Sequence, residues 1–340
     1  MKDKPIDRRQ FLQIAGMGAL GGLGLTSPRN LISNEGGRPV RRVLRIAHMT
    51  DFHYWPDPET GVPDLAALAF RHAQGQSDPP DIILNTGDCI FDSLEVPKDW
   101  TEWQWQGFVD LLAAECHLPI YHAIGNHDVW GWGLKDPRIK DDPLYGPNMA
   151  VHWLGLPNTY YAFDLAGWHF VVMHSTHLPN KVSYYPYIGM LDEDQFQWLA
   201  GEIQATPIET PICIVSHIPI LAGCEFFDGL NEESGNWVIP AAWVHIDARR
   251  FRQLFLEHSN VRLCLSGHTH QYESEDYLGV RYLTDGAVCG AWWEGAYLDF
   301  PPAYVLVDLY EDGSAESQFV TYQEMTVSVQ QRKKIPIPIR

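Results

Sequence analysis

Five short apolar runs in this 340-residue chain each end in a cluster of acidic, amide or imidazole side chains. Apolar runs of this length are typical of buried strands. In open α/β sheets the ligand lies beyond the carboxyl ends of the strands, so five such ends at one edge would form a single polar pocket. The clusters are Asp51-Phe52-His53 after 46–50, Gly87-Asp88 after 82–84, Gly125-Asn126-His127-Asp128 after 120–124, Ser216-His217 after 212–215 and Gly267-His268-Thr269-His270 after 261–265.

Several segments between these runs have the apolar spacing of amphipathic helices, and the last part of the chain is mostly strand-like. This order predicts the α/β class, in which alternating units are followed by an antiparallel closing section. A hairpin is expected around Ala166-Gly167. Asp192, with Gln195 three positions later, is typical of a capping box at the start of a helix. Helices are expected at 64–72, 103–116, 192–203 and 247–258.

The chain is acidic, with a formal net charge of -19. Nucleic-acid binding depends on clustered Lys and Arg that displace counterions, so no nucleic-acid polymer is expected as a partner. Small phosphate compounds stay compatible with this charge, because bound metal cations would reverse the sign of the local field. The six cysteines contain no CxxC pair, so they indicate neither a zinc knuckle nor a disulfide framework.

Each polar cluster by itself predicts metal binding only weakly. The pairs in Asp51-Phe52-His53 and His268-Thr269-His270 can aim two ligands at one point, but a lone His217 is more often a core histidine, and a polar run such as 125–128 is often only a turn. All five clusters follow strand-like runs, and this joint pattern favours one shared metal site. Mixed imidazole and carboxylate ligands suit Fe, Mn, Zn or Co.

With these five clusters, the chain resembles the calcineurin-like metallophosphoesterase superfamily over roughly residues 44–285. The resemblance implies an α/β fold, a four-layer α-β-β-α sandwich in which two mixed sheets lie between helices. It also implies two metal ions that share one bridging carboxylate, that of Asp88. The ligands it implies are Asp51, His53, Asp88 and His270 for the first metal and Asp88, Asn126, His217 and His268 for the second.

The implied reaction is the hydrolysis of phosphate esters by a hydroxide that bridges two divalent or mixed-valence transition metal ions. A shared carboxylate such as Asp88 can hold two cations about 3.5–4 Å apart, the separation found in two-metal phosphatases. The cations also neutralise charge on the phosphoryl oxygens in the transition state. His127 would face the substrate, as a general acid or as a hydrogen-bond donor to a phosphoryl oxygen. Catalytic roles are therefore expected for His127 and Asp88.

The sequence departs from the superfamily pattern at one position. Many relatives have Asp or Tyr three residues after the bridging Asp, where this chain has Phe91. A ferric ion bound by tyrosinate is therefore not expected. Another carboxylate must orient His127, and Asp92 and Asp128 are both candidates; the alternative role for either is to cap a turn.

Aromatic residues in Gly-rich loops could stack against a base or a sugar, which favours a phosphodiester or nucleotide-type substrate. The alternative is that these residues only pack within the loops. These loops are Trp130-Gly131-Trp132-Gly133 and 290–295, and the acidic segment 225–233 could cap the pocket and repel a polyanion. A phosphomonoesterase of the same fold is the main alternative. A non-catalytic binding module is the third hypothesis, but the presence of every implied ligand and of His127 argues against it.

The start of the chain differs from the rest. Asp7-Arg8-Arg9-Gln10-Phe11-Leu12 precedes a Gly-rich apolar run at 14–25, which is too short to span a bilayer. This layout resembles a twin-arginine export signal, which is an address rather than a membrane anchor. It implies the twin-arginine translocase as a partner, a periplasmic or other extracytoplasmic location and no stable membrane insertion. The predicted segments are a signal peptide at 1–30, a linker at 31–42, a metallophosphoesterase domain at 43–325 and a C-terminal tail at 326–340.

Overall fold

The computed structural model describes residues 40–179 and 185–323, and two large β-sheets form the centre of this part of the chain. The predicted signal peptide at 1–30, nearly all of the predicted linker and the predicted tail at 326–340 lie outside the described residues. Within these residues, no helix combines the length and the apolar character needed to cross a membrane.

The first sheet has five strands in the order β13-β12-β1-β2-β3. Strands β1, β2 and β3 are parallel, whereas β12 runs antiparallel to both of its neighbours, so the sheet is mixed. Three parallel strands therefore end at the same edge. The strands are β1 (Arg42–Met49), β2 (Ile82–Asn85), β3 (Ile120–His122), β12 (Ala303–Tyr310) and β13 (Ala315–Thr321).

The second sheet has six strands in the order β10-β11-β9-β8-β5-β4. Its middle strands are parallel and its two outer pairs are hairpins. The expected hairpin around Ala166-Gly167 is one of these pairs. The strands are β4 (Tyr161–Leu165), β5 (Trp168–Val172), β8 (Ile212–Val215), β9 (Val261–Ser266), β10 (Glu273–Tyr277) and β11 (Val280–Thr284), and a separate small sheet contains β6 (Thr176–His177) and β7 (Ile188–Gly189).

Helices cover the outer face of each large sheet. The first three pack on the first sheet and the other two on the second, as the shared buried clusters show. The α-helices are α1 (Val62–Gln74), α2 (Lys98–Glu115), α3 (Asn148–Leu154), α4 (Glu193–Ala205) and α5 (Ala248–Glu257), and short 3-10 helices occur at Pro58–Thr60, Pro137–Asp141 and Cys224–Phe226.

Alternating side chains of the central strands build three separate cores. In β8, Cys213 and Val215 point between the two sheets, whereas Ile212 and Ile214 point towards α4 and α5. This follows from the two-residue repeat of a strand, which sends successive side chains to opposite faces. Four layers with three apolar cores between them result, so the predicted α/β sandwich of two mixed sheets is confirmed.

The capping box predicted at Asp192 forms only in part. Asp192 Oδ1 accepts a hydrogen bond from the Gln195 backbone N–H at 2.8 Å, which is the first half of the motif. The Gln195 side chain instead bridges the backbone N–H and C=O of His174 in the segment that follows β5. The tertiary partner replaces the local one, because this Gln is buried and its side chain satisfies both backbone groups of His174.

Candidate metal centre

All eight residues predicted for the site follow the carboxyl ends of parallel strands. They come from the loops after β1, β2 and β3 of the first sheet and after β8 and β9 of the second. The short distances between their polar atoms, given below, show that the two sheet edges bring them together. The residues are Asp51, His53, Asp88, Asn126, His127, His217, His268 and His270.

Backbone hydrogen bonds hold the loops after β1 and β2 side by side. The backbone N–H groups of Asp51 and His53 donate to the carbonyls of Gly87 and Asp88, each at 3.0 Å. From the second sheet, the His268 N–H donates to Asp51 Oδ2 at 2.9 Å. The Asp51 carboxylate therefore joins the two sheets at this edge.

Two glycines allow the loops to approach each other closely. A Cβ atom at Gly125 would lie 2.1 Å from Asp88 Oδ1, and one at Gly267 would lie 2.0 Å from Thr50 Oγ1. Such distances are far inside van der Waals contact, so only glycine fits at either position. Both glycines were part of the sequence motifs, and the structure gives the physical reason for them.

The backbone of the site is strained. Five of the seven candidate ligands adopt positive φ angles between 40° and 74°, a region that non-glycine residues rarely occupy. Each such residue costs of order 1–3 kcal/mol and persists only where the surrounding structure enforces it. These residues are Asp51, His53, Asp88, His268 and His270.

The first group of facing donor atoms comes from Asp51, His53, Asp88 and His270. His53 Nε2 lies 3.1 Å from His270 Nε2 and 3.6 Å from Asp88 Oδ2. His270 Nε2 lies 3.4 Å from Asp51 Oδ1. Two carboxylates and two imidazoles thus point at one small volume.

The second group contains Asp88, Asn126, His217 and His268. His217 Nε2 lies 2.9 Å from Asn126 Oδ1, 3.2 Å from Asp88 Oδ2 and 3.2 Å from His268 Nδ1. Asp88 Oδ2 belongs to both groups, so it lies where a bridging ligand would lie. The other Asp88 oxygen accepts the His127 backbone N–H at 2.8 Å, which fixes the carboxylate plane.

The tautomers of the four histidines fit metal ligands. In each ring, the nitrogen that points away from the group faces a backbone carbonyl, at distances of 2.6–3.3 Å. Because a carbonyl only accepts, that nitrogen carries the proton, and in a neutral ring the inward nitrogen is a lone pair. The inward lone pairs would then repel one another and the nearby carboxylates, unless a cation lay between them. The outer partners are the carbonyls of Phe91 for His53, Thr86 for His217, Ala242 for His268 and Gly290 for His270.

Burial affects the charge of these histidines. It lowers the pKa of His53 and of His268 to about 3, so both rings are neutral at neutral pH. Burial also acts on His217, but the Asp88 carboxylate outweighs it and raises the pKa to about 9. A metal ion and a proton therefore compete for His217.

Asp92, rather than Asp128, contacts the His127 ring. Its Oδ1 lies 3.1 Å from His127 Nδ1. The Asp92 backbone is itself held by both ends of the Gln104 side-chain amide in α2. Asp128 instead accepts three backbone N–H groups, from Cys89, Ile90 and Gly125, and so clamps the loops after β2 and β3.

A cavity of about 370 Å³ opens directly over the donor atoms. His127 and Asp92 lie in its wall, beside five of the candidate ligands. Much of the remaining wall is aromatic and acidic, and among the described residues it contains neither Lys nor Arg. These wall residues are Tyr185, Tyr187, Glu225, Asp228, Trp243, Trp292 and Tyr297.

The two aromatic loops have different positions. Trp130 and Trp132 are buried in the core between the first sheet and its helices, so they do not form the cavity wall. Trp292 does line the cavity, and its ring lies 4.6 Å from that of His270. Trp293 is buried and donates from Nε1 to the His53 carbonyl at 3.0 Å, which supports the strained loop after β1.

Some residues near the donor atoms were not predicted. Cys289 forms a close group with His53 and His270, and its thiol is buried. Tyr297 and Trp243 lie in segments without regular periodicity, and nothing in their sequence marks them. For Glu225 the only signal was the acidic composition of its loop.

Comparison with known proteins agrees with this geometry. Residues 44–272 match the family described as calcineurin-like phosphoesterase, and the chain belongs to that family. Members of the family depend on a dinuclear metal centre, and the two groups of donor atoms could hold such a pair.

The similar proteins that span most of the chain include two curated relatives and one solved structure, as follows. A probable cyclic nucleotide phosphodiesterase of Synechococcus is 26% identical over 285 residues, which cover 81% of this chain and 91% of the relative. The 3',5'-cyclic adenosine monophosphate phosphodiesterase of Haemophilus influenzae is 21% identical over 305 residues, which cover 87% and 95%. A dimetal phosphatase from Danio rerio shares the fold with a TM-score of 0.56 at 16% identity, covering 83% of this chain and 100% of that one.

The buried carboxyl of Glu225 makes stability depend on pH. Burial, assisted by Asp228 and Glu273, raises its pKa from 4.5 to about 8. The folded chain therefore holds this proton more tightly than the unfolded chain, and stability falls as pH rises from 4.5 towards 8. We expect Glu225→Gln to be more stable than the wild type at about pH 9 by a few kcal/mol, at about 1.4 kcal/mol per pKa unit, and to show a smaller advantage at about pH 5.

Urea unfolding of metal-free protein at the two pH values measures this difference. Glu233→Gln is the matched control, because Glu233 is exposed in the same loop. If the free energies of unfolding of wild type and Glu225→Gln differed by the same amount at both pH values, the raised pKa of Glu225 would be contradicted.

Proposed function

We propose that this chain is an exported, metal-dependent phosphodiesterase that acts on small phosphodiesters, including nucleotide-type ones. One observation carries the proposal: two groups of metal-type donors share Asp88 Oδ2, and the His127–Asp92 pair lies beside them in the same cavity. This arrangement serves hydrolysis at phosphorus, because it combines a site for two cations with a proton donor.

The residues of the two groups would hold the metals in the way that the sequence predicts. Asp51, His53, Asp88 and His270 would bind one ion, and Asp88, Asn126, His217 and His268 the other. When bound, two such ions supply Lewis-acid stabilisation of the phosphoryl charge and a nucleophile at neutral pH. The mixed N and O donors suit Fe, Mn, Zn or Co.

His127 would act on the leaving group. The Asp92 carboxylate lies at Nδ1 of His127 and fixes the orientation of the ring. The other nitrogen, Nε2, would give a proton to the alkoxide that leaves phosphorus. Gln104 holds the Asp92 backbone and so keeps the pair in place.

The preference for a diester rests on charge and on the relatives. A phosphodiester carries one negative charge, whereas a monoester carries close to two at neutral pH. In the cavity Asp92, Glu225 and Asp228 supply carboxylates, and the wall described above has no basic side chain to balance a dianion. The two curated relatives described above are named as phosphodiesterases of cyclic nucleotides. A phosphomonoesterase is the second candidate and is tested by the same assay.

The first prediction from this proposal concerns the shared carboxylate of Asp88. Asp88→Asn is expected to lose most of the bound metal and to reduce hydrolysis of bis(p-nitrophenyl) phosphate by more than about 10³-fold, because both ions lose a charged ligand. Asp194→Asn, an exposed change of the same type in α4, is the control. Metal content and turnover are measured on protein loaded with Mn.

The substrates in that assay separate the candidate functions. Faster turnover of bis(p-nitrophenyl) phosphate and of 3',5'-cyclic adenosine monophosphate than of p-nitrophenyl phosphate supports the diesterase. The reverse order favours the monoesterase. A fully active Asp88→Asn protein without metal would end the two-metal mechanism, and a wild type without metal or turnover would favour a binding module.

The second prediction concerns the proton donor. His127→Ala is expected to retain its metals but to lower kcat by about 10²–10⁴-fold on diesters with alkyl leaving groups. The loss should be much smaller with p-nitrophenolate, which leaves without a proton. Asp92→Asn should show the same dependence on the leaving group to a lesser extent. Equal losses on both kinds of ester would instead indicate that His127 donates a hydrogen bond to a phosphoryl oxygen.

The third prediction concerns export. The sequence Arg8-Arg9-Gln10-Phe11-Leu12 supports delivery by the twin-arginine translocase, as a folded protein that already contains its metals. Changing Arg8 and Arg9 to Lys together should retain the protein in the cytoplasm, because the signal is read by a receptor. Fractionation and immunoblotting provide the readout. Wild-type protein found only in the cytoplasm would refute export.

A further inference from the structure

The part of the cavity wall beside the metal donors combines aromatic rings with one buried and one half-buried carboxylate. Trp292 and Tyr297 contact each other nearly at right angles, with ring centroids 5.8 Å apart. The Tyr297 hydroxyl donates to Asp228 Oδ2 at 2.8 Å. Across the same cavity wall, Trp243 Nε1 lies 3.3 Å from the Tyr185 hydroxyl. Rings of this kind around a ligand volume are typical of sites for quaternary ammonium groups.

Glu225 gives this wall a buried acceptor that has no partner among the described residues. Its residue is only 2% exposed, and it lines the cavity. Within residues 40–179 and 185–323, no hydrogen-bond donor reaches its Oε2 atom. An unpaired buried carboxylate oxygen is costly, and a positive charge in the adjoining cavity would offset that cost. Beside aromatic rings, the ligand group that would do so is a cation.

The charge is divided along the cavity. At the donor groups, two divalent cations would outweigh the carboxylates of Asp51 and Asp88, so that end attracts a phosphate group. At Glu225 and Asp228 the wall attracts positive charge. Because the Trp292 and Tyr297 rings both contact the His270 ring, at 4.6 and 5.5 Å, the two ends are close together.

We propose that the preferred substrates are zwitterionic phosphodiesters, in which a short linker joins the phosphate to an ammonium group held by Glu225, Asp228 and the aromatic rings. This proposal rests on the phosphodiesterase function proposed above and specifies its substrate class. Hydrolysis forms a P–O bond to the oxygen of water and breaks the P–O bond to the leaving alcohol, which departs with a proton. The ammonium group takes no part in the bond changes and contributes only binding.

Burial raises the pKa of Glu225 to about 8, so the site is best tested at about pH 9, where this carboxyl is ionised. Two substrates with the same leaving group form the test: p-nitrophenyl phosphocholine and its isostere p-nitrophenyl 3,3-dimethylbutyl phosphate, in which a tert-butyl group replaces the trimethylammonium group. The Mn-loaded wild type is expected to favour the choline ester by about tenfold or more in kcat/KM, the range of a desolvated cation–π contact assisted by a carboxylate.

Glu225→Gln keeps the shape of the side chain but removes its charge, and it should reduce this preference to about threefold or less. Glu233→Gln, on the exposed part of the same loop, should keep the wild-type preference. A wild-type ratio near one, or a ratio that Glu225→Gln leaves unchanged, would overturn the ammonium site.

Binding of choline alone gives a readout that does not depend on turnover. Saturable quenching of tryptophan fluorescence by choline in the Mn-loaded wild type, with at least about tenfold weaker binding in Glu225→Gln, supports the site; no binding by the wild type overturns it. Absence of hydrolysis of bis(p-nitrophenyl) phosphate would refute the phosphodiesterase function instead. Turnover of that ester without choline preference would refute the ammonium site alone.

Discussion

The Asp88 carboxylate is the interaction on which the rest of the site depends. One oxygen accepts the backbone N–H of His127, and the other faces His53 and His217 from two different groups of donors. Because the loop after β2 also accepts the backbone N–H groups of the loop after β1, any movement of Asp88 would shift ligands from both sheets. The two parallel sheet edges are needed to supply this convergence, and the three apolar cores are needed to hold the edges in register.

Much of the fold and the site could be predicted, because the information lies in short local patterns. Apolar runs followed by Asp51-Phe52-His53 or by His268-Thr269-His270 identify strand ends. Because ligands of α/β sheets bind beyond the carboxyl ends of the strands, these polar residues are expected to lie together. The same reasoning could not choose between Asp92 and Asp128, since each lies in one of the polar clusters or just after it, Asp92 four residues after Asp88 and Asp128 next to His127. Tertiary contacts separate their roles: Gln104, in α2, holds the Asp92 backbone, whereas Asp128 accepts three backbone N–H groups.

The cavity wall was the least predictable part. Tyr297, Trp243 and Glu225 come from long connections whose course depends on packing rather than on periodicity. The aromatic residues Trp130 and Trp132 looked equally suited to a wall, but they pack into the core. The positive φ angles of the ligands were also invisible in the sequence, because Asp and His tolerate this region without requiring it.

The distance along the chain between the two halves of the site has a further consequence. His53 and His270 face each other across 217 positions of sequence, and neither sheet contains a complete set of donors. A ribosome-bound chain that lacks β9 can therefore form much of the first sheet but cannot complete either donor group. Metal capture would therefore follow the synthesis of β9, and a loaded centre would indicate a polypeptide synthesised at least as far as His270.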